Sequence, residues 1–172
     1  MVRNCSINEE FTQEENDFQI VEMRAQHIPF IVAIERKSFP QPWSYSLFLS
    51  EMSNRMASYF VALWRGKVIG YIGMWLVFEE AHITTFAIHP AHRGKGFGKR
   101  LFSHALQYAL LRGCKEVLLE VRVSNVIAQK LYQNFGFQPV GRRRGYYSDG
   151  EDAILMKKTL QRGMPDLADP GY

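Results

Sequence analysis

The spacing of apolar positions changes several times along the chain, and each change marks an element. Phe18 to Met23 reads as a short strand. Gln26 to Phe39 carries Ile28, Ile31, Val32, Ile34 and Glu35 at helical spacing, with Pro29 acceptable in the first turn. Phe39-Pro-Gln-Pro-Trp43 ends that helix, and Ser44 is placed to cap a second one from Tyr45 to about Met52. Tyr59 to Trp64 and Val68 to Val77 are β-rich and joined by Arg65-Gly66-Lys67, a hairpin signature. Ala81 to Ile88 is a third strand of the same meander, stopped by His89-Pro90. After a glycine-rich loop come a helix from about Gly98 to Arg112, a strand from Glu116 to Val123, and a helix from Asn125 to Phe135 ended by Gly136. Two last strands, Gln138 to Tyr147 and Ala153 to Lys158, flank a turn through Ser148-Asp149-Gly150.

The order βααβββαβαββ predicts an α/β protein with a mixed sheet and helices on both faces, because a β-meander leads into crossover units. The glycine loop falls at a strand-to-helix junction, where open α/β sheets bind ligands. Residues 1–17 are polar and acidic, without apolar periodicity, and read as a mobile arm. Residues 161–172, with Gly-Met-Pro and Asp-Pro, read as a loose tail, leaving 18–160 as one domain.

Composition adds exclusions. With 172 residues, 47% hydrophobic and 22% charged, the chain can bury a core and is not a disordered polymer. No apolar run is long enough to span a bilayer, and no signal segment is expected. Cys5 and Cys114 are too few for a disulfide framework or a structural zinc site, so a cytoplasmic protein with reduced thiols is expected. His82, His89, His92 and His104 lack metal-ligand spacing on one helix face, so no metal is expected. The net charge of +4 is unevenly divided: Glu9, Glu10, Glu14, Glu15 and Asp17 crowd the start, and Asp166 and Asp169 the end. The body is strongly basic and suited to an anionic partner, whether a phosphorylated cofactor, nucleic acid or a ribosomal surface.

The densest chemical signal is Arg93-Gly-Lys-Gly-Phe-Gly-Lys-Arg100. Gly94, Gly96 and Gly98 allow a backbone cradle of N–H groups, the following helix adds its positive end, and Arg93, Lys95, Lys99 and Arg100 add charge. The loop lacks the spacing of a Walker loop or a dinucleotide fingerprint, and a basic loop that binds nothing is the alternative.

Arg93-x-x-Gly96-x-Gly98 matches the acetyl-CoA motif of the GCN5-related N-acetyltransferases. Glu120-Val-Arg-Val-Ser-Asn125, Leu131-Tyr-Gln-Asn-Phe-Gly-Phe137, Arg144-Gly-Tyr-Tyr147 with Glu151-Asp-Ala, and Phe39-Pro-Gln-Pro-Trp-Ser44 resemble the RimI-type N-terminal acetyltransferases within that family, over about residues 18–160. The resemblance implies acetyl-CoA as cofactor and a protein N-terminus as acceptor, an N-terminal alanine of a ribosomal protein in particular. No recognised nucleic-acid motif accompanies the basic residues and no apolar run suits a bilayer, so no direct recognition of nucleic acid and no membrane association are expected. Three departures bear on the acceptor: Phe-Pro-Gln-Pro-Trp is longer than the compact Phe-Pro-Trp form, His89 stands where an aspartate is common, and the acidic arm and the tail have no counterpart in the family core.

The residues have their own reading beside the resemblance. Glu120 is a lone carboxylate in an apolar strand, on the face of Leu118 and Arg122; it is either a solvent-facing charge paired with Arg122 or a neighbouring basic side chain, or a general base. The resemblance implies the base. Tyr132 shares a helix face with Asn125 and Ala128, and is either the edge of the core or an acid for the departing thiolate; the resemblance implies the acid. Asn125 is an N-cap by position and a cofactor contact by resemblance. Phe86, Ala87 and Ile88 look like core, while the resemblance has their backbone bind the cofactor together with Arg93, Gly94, Lys95, Gly96, Phe97, Gly98 and Lys99. Phe39, Pro42, Trp43, Tyr45, Tyr146 and Tyr147 are either packing under loops or the walls of a peptide slot. Arg142-Arg143-Arg144 keeps open a different class, a basic ribosome- or RNA-binding module without catalysis. Other acceptors within the family, a lysine or a small amine, also remain open.

Overall fold

The structure, a computed structural model, describes residues 17–161. The readings of an acidic arm and a loose tail fall almost entirely outside the described residues. Seven strands form one sheet: β1 (Phe18–Glu22), β2 (Ala57–Trp64), β3 (Lys67–Val77), β4 (Glu80–Ile88), β5 (Glu116–Arg122), β6 (Gln138–Arg143) and β7 (Ala153–Thr159). Four helices cover it: α1 (Ile28–Ser38), α2 (Tyr45–Glu51), α3 (Phe97–Leu111) and α4 (Val126–Asn134). The strand order is β1-β2-β3-β4-β5-β7-β6, antiparallel throughout except for β4 and β5. The predicted element order, mixed sheet and two-sided helical cover are all present.

Period decides which face each helix covers. Leu101, Phe102, Ala105, Leu106 and Ala109 of α3 pack with Val117, Leu119 and Val121 of β5 and with Tyr132 and Phe135. Ile28, Ile31, Val32 and Ile34 of α1 pack with Phe48 of α2 and with Val61 and Tyr71 on the other face. Ser44 caps α2 as expected, its hydroxyl accepting from Leu47 N–H at 3.2 Å.

Two irregularities shape the centre. Gly73 of β3 faces Thr85 while Met74 faces Ile83, so Thr84 is an extra residue in β4. Such a bulge reverses the alternation beyond it. Ala81 and Ile83 therefore join the α3–α4 core, whereas Ala87 joins the α1–α2 core. The second irregularity is that β4 and β5 pair only from Glu80↔Glu116 to Ile83↔Leu119. Beyond that point β5 continues along β7, from Glu120↔Leu155 to Arg122↔Ala153, and β4 continues along β3. The sheet opens between them.

β6 differs from expectation. It ends at Arg143, not Tyr147. Asp152 is the physical reason: its carboxylate accepts from Gly145 N–H and from Arg142 Nε, both at 2.7 Å, and turns the chain where Gly145 takes a φ of 56°. Tyr146 and Tyr147 consequently lie in the β6–β7 connection.

Candidate active site

The opening between β4 and β5 organises the site. Residues 84–88 of β4 have no strand partner on the β5 side. A row of N–H and C=O groups there can receive an extended ligand as another strand. Phe86 anchors this edge against Phe102 at 5.4 Å between ring centroids, and Ala87 and Ile88 are buried. All three serve as core, as their side chains suggested, and still present backbone to the opening.

Glu120 is the first residue of β5 beyond the paired stretch, and it points to the α1–α2 face because Leu119 and Val121 enter the opposite core. Its side chain is only 5% exposed. Oε2 lies 2.5 Å from His82 Nε2. Arg143 Nη2 stands 3.3 Å from Oε1 as an ion-pair neighbour, but out of line for a hydrogen bond, so Oε1 has no donor among the described residues. Of the alternative reading, the pairing holds with neighbouring bases, His82 and Arg143, and not with Arg122, while the carboxylate is buried rather than solvent-facing. Arg122 instead reaches Asp149 Oδ2 at 2.8 Å and Glu151 Oε2 at 2.7 Å, with its guanidinium over the Tyr147 ring at 3.8 Å. This clasp holds the β6–β7 connection beside Glu120. Hydrogen bonds from Ser124 and then from Arg122 hold the Glu151 carboxyl down at about 2.

Tyr132 approaches the opening from the other face. It is 8% exposed, its ring tilted against those of Phe102 and Phe137, and its hydroxyl has no hydrogen bond among the described residues. Burial, with a smaller contribution from Tyr147, pushes its phenol well above the ordinary range, so it keeps its proton at neutral pH. Tyr147 is pushed up to about 12, mainly by burial, and Glu120 adds to that rise. Tyr147 thus lies within electrostatic range of both Glu120 and Tyr132.

The glycine loop lies at the end of β4. Gly94 and Gly96 have φ of 75° and 80°, a region L side chains rarely adopt, although a Cβ at either would meet nothing within 4 Å. Conformation, not crowding, requires glycine there. Gly96 is the α3 N-cap and brings no side-chain cap, so the first-turn amides of Phe97, Gly98 and Lys99 lack a side-chain partner. Lys95 and Lys99 are exposed beside them. Phe97 is buried against Phe18, rings 5.1 Å apart. Arg93 is placed differently from a free phosphate-binding cation: Nε donates to Ile88 O at 2.8 Å and Nη2 to Ser38 Oγ at 2.9 Å, tying the loop to β4 and α1. Asn125 Oδ1 accepts from Ala128 N–H at 3.1 Å, which makes it the α4 N-cap. An unpaired strand edge, a glycine loop at an uncapped helix start and an unpartnered phenol together fit a long thioester cofactor with an anionic end.

The aromatic candidates divide. Phe39 and Trp43 are half-buried against the α1–α2 core, and Trp43 lies 5.4 Å from Phe48. Pro42 and Tyr45 are exposed. Tyr146 and Tyr147 meet edge-on at 5.1 Å. The two loops touch, since Gln41 Oε1 accepts from Ser148 Oγ. The structure therefore brings the two proposed walls of the slot together.

Sequence reasoning passed over His82 and Glu35. Alternation places His82 and Glu120 on the same face only once the parallel register is known. Glu35 sits at a core position of α1, 2% exposed, and accepts from Tyr71 Oη at 2.5 Å and Thr85 Oγ1 at 3.2 Å, with the Trp43 amide also donating. Its signal was an acid on the apolar stripe. The basic run divides: Arg142 pairs with Asp152 and Arg143 turns to Glu120, while all three arginines remain exposed. Among the described residues no group of His, Cys, Asp and Glu could hold a metal, and no helix is long and apolar enough to cross a membrane.

The profile of the acetyltransferase (GNAT) family matches residues 28–137, and the chain belongs to that family. It is an acetyl-CoA-dependent acetyltransferase. A Bacillus subtilis protein provisionally named a ribosomal protein bS18-alanine N-acetyltransferase is 42% identical over 140 residues, 80% of this chain and 93% of that one. The Escherichia coli ribosomal protein bS18-alanine N-acetyltransferase is 33% identical over 140 residues, 80% of this chain and 94% of that one. The crystal structure of the E. coli ribosomal-protein-S18-alanine N-acetyltransferase shares the fold with a TM-score of 0.77 at 29% identity, over 86% of this chain and 99% of that one. Ard1 from Thermoplasma volcanium superposes with a TM-score of 0.81 at 26% identity, over 85% and 99% of the two chains.

Proposed function

We propose that this chain acetylates the α-amino group of a protein N-terminus, with the N-terminal alanine of a ribosomal protein as acceptor. The observation that carries the reading is the opening in the sheet, with Glu120 on the α1–α2 face and Tyr132 on the opposite face. The names of the two bS18-alanine relatives supply the acceptor. Acetyl-CoA supplies an activated acetyl thioester. The unpaired β4 edge at Phe86, Ala87 and Ile88 would hold its extended arm, and Gly94, Gly96, Phe97, Gly98, Lys95 and Lys99 its pyrophosphate, with Asn125 beside the arm. Arg93 supports the loop from beneath.

An α-amine has a pKa of about 7.7–8.0 and is largely protonated at pH 7. Glu120 Oε1, buried and without a donor, takes the proton that frees the nitrogen lone pair. Tyr132 keeps its proton across neutral pH and delivers it to the departing sulfur. Phe39, Pro42, Trp43 and Tyr45 on one loop and Tyr146 and Tyr147 on the other flank the acceptor, admitting an extended backbone with a small first side chain. A lysine amine, at about 10.4, is harder for one glutamate to deprotonate.

The test is a competition among a peptide with free N-terminal alanine, the same peptide N-terminally blocked but containing lysine, and spermidine. The alanine peptide should be acetylated fastest. Faster acetylation of either other substrate would overturn the acceptor assignment and leave the acetyltransferase standing.

A further inference from the structure

We propose that His82 is a positioning residue for Glu120: its Nε2–H donates to Oε2 and holds the carboxylate with Oε1 facing the opening. The proposal rests on the reading of Glu120 as base. The pair follows from register. His82 of β4 faces Leu118 of β5, so Glu120 is its diagonal neighbour two residues on, a separation long side chains can bridge. Trp75, His82, Leu118 and Lys157 form one row across four strands, which fixes the face His82 occupies. Thr84, the extra residue of β4, lies two positions further on, so His82 sits just before the strand changes alternation. Its side chain is 31% exposed against 5% for Glu120, so the imidazole stands between the buried carboxylate and solvent.

Direction of the bond follows from chemistry. Glu120 must be ionised before it can act as a base, and an ionised carboxylate only accepts. The nitrogen 2.5 Å from Oε2 therefore carries the hydrogen. When the acceptor's ammonium gives up a proton, one N–H bond breaks, one O–H bond forms at Oε1, and the His82 bond to Oε2 persists. One oxygen does chemistry while the other is held. Other charged and titratable groups around the pair are Arg143 on β6, Tyr146 and Tyr147 in the β6–β7 connection, the Glu116–Lys157 pair on β5 and β7, Glu80 on β4, and Glu51 of α2, which binds Trp75 Nε1 at 2.6 Å.

The experiment compares His82→Leu and His82→Gln in the wild-type and Glu120→Gln backgrounds, using whichever acceptor wins the competition above. His82→Leu should lower kcat roughly tenfold, a loss typical of coupled neighbours, with acceptor KM and the acetyl-CoA thermal shift nearly unchanged. His82→Gln retains a donor and should recover most of kcat. In Glu120→Gln, His82→Leu should cost nothing further, since its action runs through Glu120. Unchanged kcat in His82→Leu, or equal losses in both backgrounds, would overturn the role of His82 while leaving Glu120 as base. Wild-type turnover in Glu120→Gln would remove the base assignment, and this proposal with it.

Discussion

Glu35 and Glu120 both bury their carboxylates on the α1–α2 side of the sheet, and their surroundings are opposite. Glu35 receives hydrogen bonds from Tyr71, Thr85 and the Trp43 amide, joining α1, β3, β4 and the α1–α2 loop. Glu120 has a donor at Oε2 and none at Oε1, at the edge of an opening in the sheet. A buried acceptor left without a donor is costly, typically about 1–3 kcal/mol. The Glu35 carboxylate ties four parts of the fold together, whereas Glu120 Oε1 has only the Arg143 guanidinium as an ion-pair neighbour and no hydrogen bond among the described residues. Glu35 thus fixes Trp43 and Thr85 behind the opening, and Glu120, the base in our proposal, lies at its edge.

The contrast breaks most clearly at Glu120. Glu120→Gln should lower turnover by ~10²–10⁴-fold with little loss of thermal stability, and Tyr132→Phe should act in the same way from the other face. Steady-state kinetics with the N-terminal alanine peptide would check both; wild-type turnover would return these residues to structural roles. A substitution in the glycine loop separates cofactor holding from chemistry. At acetyl-CoA near 100 times its Kd, the wild type should gain about 2.7 kcal/mol of stability, and Gly96→Val should abolish the corresponding rise in melting temperature. The cause would be the disfavoured φ of 80° rather than a clash, so Gly96→Ala should also suppress it.

Glu35 should show the reverse profile. Glu35→Leu leaves Tyr71 and Thr85 without their acceptor and should cost about 1–3 kcal/mol in urea unfolding, with a smaller effect on turnover. Burial raises the Glu35 carboxyl despite the hydrogen bonds that pull it down. A raised folded value means the fold prefers the protonated form. That stabilisation is present below the ordinary carboxylate value of about 4.3 and is lost as pH rises through the raised one. The wild type should therefore lose stability relative to Glu35→Gln as pH climbs through that window. A constant difference would show that burial does not dominate at Glu35.

Local pattern carried much of this protein. The order of strands and helices, the Ser44 cap, the glycine loop and the lone glutamate of β5 were legible because each depends on side chains within a few residues. Family resemblance then selected Glu120 and Tyr132 from among ordinary core and surface readings. What stayed hidden depends on register and closure. The extra residue at Thr84 exchanges the faces of β4, and no propensity announces it. His82 lies 38 residues from Glu120 and meets it only through the parallel pairing of β4 with β5. Arg143 looked like part of a basic run until Asp152 claimed its neighbour and turned the chain, sending Tyr146 and Tyr147 out of the strand. Sequence by itself determined which elements form and which residues could do the chemistry, because periodicity and turn preference are properties of neighbours. Only the tertiary structure decided which face each group occupies and which oxygen of Glu120 is left bare, because both depend on strands distant in the chain.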